Sequence, residues 1–141
     1  MENVSIVGFG HIGSAIATVL SKKSKIVYGI DNNKKHIETL NKFECPFEEP
    51  YFKKNLIKKI KEKKILCTND FSYISKSDVI INTVGTPFEN NKVNLSYLFS
   101  SMKKISKHAK RNSITPEDIK RSLMLETFFI KQRPNMLEQC E

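Results

Sequence analysis

The chain has 141 residues, enough for one domain with a real core but short for two, and a formal net charge of +9. Its three cysteines, Cys45, Cys67 and Cys140, show no metal-ligand spacing and cannot all pair, which excludes a metal cluster and a disulfide scaffold. No apolar run reaches the roughly 18 residues needed to span a bilayer, and strand-like residues begin at Val4, so a cytoplasmic protein with reduced thiols and no membrane partner is expected.

The chain opens with the run Val4-Ser5-Ile6-Val7, which reads as a strand, and passes directly into Gly8-Phe9-Gly10-His11-Ile12-Gly13. In this spacing Gly8 permits the tight turn, Gly10 lets the backbone approach a pyrophosphate, and Gly13 allows close packing of helix on strand. A helix over roughly Ile12 to Lys22 would aim its unpaired N–H groups, beginning with those of His11, Ile12 and Gly13, at the phosphates. Ile26-Val27-Tyr28-Gly29-Ile30 forms the next strand and ends at Asp31, 18 residues after Gly13. There a carboxylate can accept hydrogen bonds from both ribose hydroxyls and repel a 2′-phosphate, which favours NAD over NADP. The glycines alone would also fit a merely tight strand-to-helix turn; strand, helix, second strand and acid in order select the dinucleotide. Lys34 and Lys35 follow directly, and Lys35 is the cation placed to soften the preference against NADP.

Lys34 to Asn41 reads as a short helix with Ile37 and Leu40 facing inward. Two prolines between Phe43 and Pro50 break the pattern. A helix over Tyr51 to Glu62 then places Phe52, Leu56, Ile57 and Ile60 on one side and lysines on the other. Ile65-Leu66-Cys67 is a short strand, and Thr68-Asn69-Asp70 introduces a helical turn through Ser75. The run from Val79 to Val84 suits a parallel strand covered on both faces. It ends at Gly85-Thr86-Pro87, at the carboxyl edge where cofactors lie in open parallel sheets, which makes Val84, Gly85 and Thr86 cofactor candidates. Asn94 caps an amphipathic helix whose buried stripe is Leu95, Leu98, Phe99, Met102, Ile105 and Ala109. Alternation of strands and helices predicts an α/β, doubly wound, Rossmann-like sheet of about four mostly parallel strands.

The basic charge is concentrated in Lys53 to Lys64 and Lys103 to Arg111, at non-apolar positions of helical patterns with no nucleic-acid motif beside them. Solvated helix faces are the favoured reading, and a basic nucleic-acid-binding domain is the rival. Past Lys110 no fifth strand is evident. Thr115-Pro116-Glu117-Asp118 is a helix start with a threonine cap and proline at the first position, so residues 112–141 read as a helical tail. A sheet ending at Val79 to Val84 leaves an edge, and the tail is expected to lie over it or to mediate self-association.

Residues 3 to about 111 resemble the N-terminal, NAD-binding domain of the UDP-glucose/GDP-mannose dehydrogenase family, which oxidises a nucleotide sugar to its uronic acid. Four features carry the resemblance in order: the glycine fingerprint with Asp31, Leu40-Asn41 leading to Phe47-Glu48-Glu49-Pro50, Thr68-Asn69-Asp70, and Asp78 to Pro87 followed by Asn94-Leu95-Ser96-Tyr97-Leu98. The resemblance implies that Thr86 meets the cofactor and that Glu49 belongs to a loop near the active site. From the residues alone, Thr86 equally fits a turn cap and Glu49 a solvated loop acid. The family commonly has an aromatic where His11 stands and a glycine where Phe43 stands. Its two-step oxidation runs through a covalent thiohemiacetal and needs a cysteine, a lysine and a further polar group in a later domain. No residue here matches them: Cys140 lacks the surrounding glycine-rich motif, so no catalytic residue is assigned. The expected organisation is residues 1–111 as the NAD-binding domain and 112–141 as the tail. The isolated chain is expected to be inactive, with the nucleotide sugar bound only in company with a catalytic domain. A non-catalytic, regulatory NAD-binding partner of a separate catalytic chain is the alternative.

Overall fold

A computed structural model describes residues 2–110; the expected tail helix lies outside them. Four parallel strands, β1 (Asn3–Val7), β2 (Ile26–Ile30), β3 (Ile65–Thr68) and β4 (Val79–Asn82), form one sheet in the order β3-β2-β1-β4. The helices are α1 (His11–Leu20), α2 (Lys34–Asn41), α3 (Pro50–Lys61) and α4 (Ser96–His108), and a 3-10 helix over Phe71–Lys76 connects β3 to β4.

Period-two alternation along the strands divides the core between the two sheet faces. Val4, Ile6 and Val27 pack with Ile37, Leu40, Leu56 and Ile60 under α1, α2 and α3. Val7, Tyr28 and Ile30 point the other way and pack with Phe71, Ile74 and, from α4, Ile105. Gly29 leaves room in the first layer for the fully buried Phe9 ring, whose atoms stand 2.5–2.6 Å from where a Cβ would lie. Cys45 and Cys67 are buried and unpaired, and burial pushes the Cys67 thiol up to about 12, which keeps it protonated and unreactive at neutral pH.

Three expectations are corrected. The strand expected over Val79 to Val84 stops at Asn82, because the chain turns there to cross the end of β1. Both its faces are packed, as expected, with Ile81 against the first core layer and Ile80 against the second, although β4 pairs only with β1 among the described residues and Val79 at its start is 39% exposed. Asn94 is not the capping residue of α4; that position is Leu95, and the Asn94 Oδ1 accepts instead from the Ser96 N–H at 3.0 Å and the Ser96 hydroxyl at 2.6 Å. Phe99, expected on the buried stripe, is exposed, because Ser101 and Ile105 turn inward and carry it toward solvent. The sequence reading also missed a hairpin, β5 (Phe88–Glu89) with β6 (Lys92–Val93), closed by Asn90 and Asn91 at φ +51° and +59°. Two adjacent asparagines, which tolerate left-handed backbone, were its signal.

Candidate functional site

Strand order reverses between β1 and β4, and at their carboxyl ends lies a groove of about 580 Å³, in the crevice where doubly wound sheets bind ligands. Gly8, Gly10, Asp31, Val84 and Gly85 line it, so residues from three separate segments of the sequence reading meet on one surface. Asn32, Asn33 and Phe71 continue the wall beyond Asp31, and Tyr97, Ser100 and Ser101 of α4 close the opposite side.

The turn after β1 is built by contacts that only small residues permit. Gly8 holds φ +89°, and a Cβ there would stand 2.7 Å from the Val84 backbone nitrogen. At Gly13 a Cβ would collide with the Gly8 carbonyl oxygen and lie 2.8 Å from the Thr83 Oγ1. Thr83, which sequence reasoning missed, pins this junction by donating to the Gly8 carbonyl at 2.7 Å. A second residue missed is His36: its Nε2 lies 2.7 Å from the Phe9 carbonyl, and since a carbonyl can only accept, the imidazole is the donor there. No local signal in the sequence marked either partner.

Gly10 is the N-cap of α1 and supplies no side-chain oxygen to the first turn, which also holds no acid. The helix therefore presents uncapped N–H groups and its positive dipole end to the groove. Nothing lies within 4 Å of a Cβ built on Gly10, so the space beside it is open to a ligand. An anion of pyrophosphate type fits this cradle. Asp31 Oδ1 accepts from the Asn33 N–H at 2.9 Å, which orients the carboxylate at the far end of the groove.

The remaining candidates fall around this centre. His11 and Ile12 are both exposed on the first turn of α1, with Ile12 at 70%. The His11 ring stacks on Phe47 at 5.0 Å and approaches Phe52 at 5.3 Å, and its Nε2 lies 4.0 Å from Glu49 Oε2. The loop containing Glu49 is thus brought against the helix start. Thr86 is half-buried between Gly85 and Pro87 but is not part of the groove lining, and Lys35 is exposed on α2 outside it. Phe43 holds φ +63°, the left-handed region that a glycine would occupy without strain.

The sequence model of the UDP-glucose/GDP-mannose dehydrogenase family, NAD binding domain, matches residues 2–119. The chain belongs to that family. It is the NAD-binding domain, and NAD is its cofactor. Uncharacterized protein MJ1054 of Methanocaldococcus jannaschii is 34% identical over 119 residues, covering 84% of this chain and 13% of that protein. The crystal structure of NDP-N-acetyl-D-galactosaminuronic acid dehydrogenase from Methanosarcina mazei superposes with a TM-score of 0.71 at 30% identity, over 78% of this chain and 26% of the other. A ternary complex of GDP-mannose dehydrogenase from Pseudomonas aeruginosa gives a TM-score of 0.71 at 28% identity, over 79% and 26%. The chain thus spans about a quarter or less of the length of each of these relatives. Among the described residues no helix is long and apolar enough to cross a membrane.

Proposed function

We propose that this chain is the cofactor-holding part of a nucleotide-sugar 6-dehydrogenase acting in the cytoplasm, with residues 1–111 as the NAD-binding domain and 112–141 as a separate tail. The observation that supports this most is the meeting of Gly8, Gly10, Asp31 and Gly85 on one groove at the uncapped start of α1. In this reading the N–H groups of His11, Ile12 and Gly13 hold the pyrophosphate, and Asp31 accepts from the ribose hydroxyls. Val84, Gly85 and Thr86 border the path toward the nicotinamide end, Lys35 bears on the ribose end only through its charge, and Glu49 faces the sugar substrate. When bound, NAD accepts a hydride from the sugar C6; the protein's part here is position and electrostatics, and the covalent chemistry belongs to a catalytic domain.

Calorimetric titration is expected to show NAD binding more tightly than NADP, because the Asp31 carboxylate repels a 2′-phosphate. NADP binding as tightly as NAD, or more so, would remove Asp31 from the role given to it. The chain alone is expected not to turn over UDP-glucose or related sugars, because Cys67 and Cys45 are buried and Cys140 lacks a supporting motif. Formation of NADH that survives purification and disappears in Cys140→Ser would overturn that statement. A regulatory NAD-binding partner of a separate catalytic chain differs in one observable: added catalytic chain would restore or alter turnover. Self-association through the β4 edge is part of the proposal and is read from the oligomeric state in solution.

A further inference from the structure

Lys104 differs from its neighbours on α4. Lys103 and Lys107 are exposed, whereas Lys104 is half-buried, with its Nζ 2.5 Å from Asn32 Oδ1 and 4.6 Å from the centroid of the Phe71 ring. Asn32 and Phe71 both line the groove, and Asn32 directly follows Asp31. The ammonium is therefore held at the ribose end by an amide oxygen and a ring face. Both orient a cation without cancelling its charge. Three other lysines pair with acids, Lys59 and Lys58 with Glu62 at 2.8 and 3.9 Å and Lys110 with Asp78 at 3.8 Å, whereas Lys61 and Lys76, like Lys104, lie over aromatic rings; of these last three, Lys104 is the one whose ring partner lines the groove. Among the described residues no ion pair joins Lys104 to a carboxylate.

A fixed cation without a protein counter-charge, beside a ligand groove, is arranged for an anionic group of the ligand. At this end of the groove that group is a phosphate on the adenosine 2′-oxygen, the same group that Asp31 repels. We infer that Lys104 is a specificity-determining residue that admits 2′-phosphorylated adenosine, so that the chain binds NADP measurably, behind NAD. The inference rests on the cofactor reading given above. It moves the softening of the NAD preference from Lys35 to Lys104, 69 positions further along the chain, which is not itself a lining residue but is bonded to Asn32 and lies over Phe71, both of which are.

The test is titration of the unaltered chain, Lys104→Met and Lys104→Arg with NAD, NADP and adenosine 2′,5′-bisphosphate. Methionine keeps the aliphatic stem over Phe71 and removes the charge; arginine keeps the charge. Lys104→Met is expected to weaken NADP and the bisphosphate about tenfold and NAD about twofold at most, and to flatten the salt dependence of NADP binding. Lys104→Arg is expected to retain NADP, which separates charge from any effect of Lys104→Met on folding. Equal weakening of NAD and NADP, as a purely structural clamp would give, or an unchanged NADP to NAD ratio, would overturn the role of Lys104 while leaving NAD binding intact. Failure of the unaltered chain to bind either dinucleotide would overturn the cofactor reading and this inference together.

Discussion

Replacing Gly10 with leucine is expected to abolish NAD binding while leaving thermal unfolding unchanged. The Gly10 backbone, at φ −78° and ψ −157°, is extended and open to any L-residue, and nothing in the protein lies within 4 Å of an added Cβ. The fold therefore has no steric reason to object. The space a leucine would fill is the approach to the uncapped N–H groups of α1, where charge-assisted hydrogen bonds to an anion contribute roughly 1.5–3 kcal/mol each. Loss of two of them with steric exclusion corresponds to a weakening of roughly a hundredfold or more. Calorimetry measures the affinity and a thermal melt the stability. NAD binding within about threefold of the unaltered chain would place the pyrophosphate elsewhere.

Gly8→Ala is expected to do the reverse in order of cause: it breaks the fold first and binding only as a result. At φ +89° a side chain is strained, by about 1–2 kcal/mol, before any contact is counted. The Cβ would then stand 2.7 Å from the Val84 nitrogen and 2.9 Å from the Thr83 carbonyl carbon, both backbone atoms that yield only if the β1–β4 junction opens. A total cost of roughly 3 kcal/mol or more would lower the melting midpoint by about 10 °C in a chain of this size. A midpoint unchanged within about 2 °C would mean that the junction is looser than its geometry indicates.

Features that depend on near neighbours were legible. The spacing Gly8, Gly10, Gly13 and Asp31, the inward face of Ile37 and Leu40, and the stripe Phe52, Leu56, Ile57 and Ile60 are set by turn geometry and helical or strand period, which act over a few residues. The structure shows the parallel sheet and the buried positions that these patterns imply. The strand at Val79 and its place at the sheet edge were recognised but its end was set two residues too far, because composition reports apolarity and not where the backbone stops pairing. The left-handed Asn90-Asn91 turn was equally local and was passed over.

The amino-acid sequence by itself determined the fold class, the dinucleotide fingerprint, the acid at Asp31 and the family to which the chain is similar. Only the tertiary structure decided which distant side chains brace the groove and its surroundings: Thr83 donating to the Gly8 carbonyl across 75 positions, His36 to the Phe9 carbonyl across 27, Lys104 reaching Asn32 across 72, and Glu49 brought to His11. The reason is physical. Periodicity fixes which face of an element is apolar, but the partner of a polar side chain depends on where the crossover connections set each helix down on the sheet, and that placement is a property of the whole packed core.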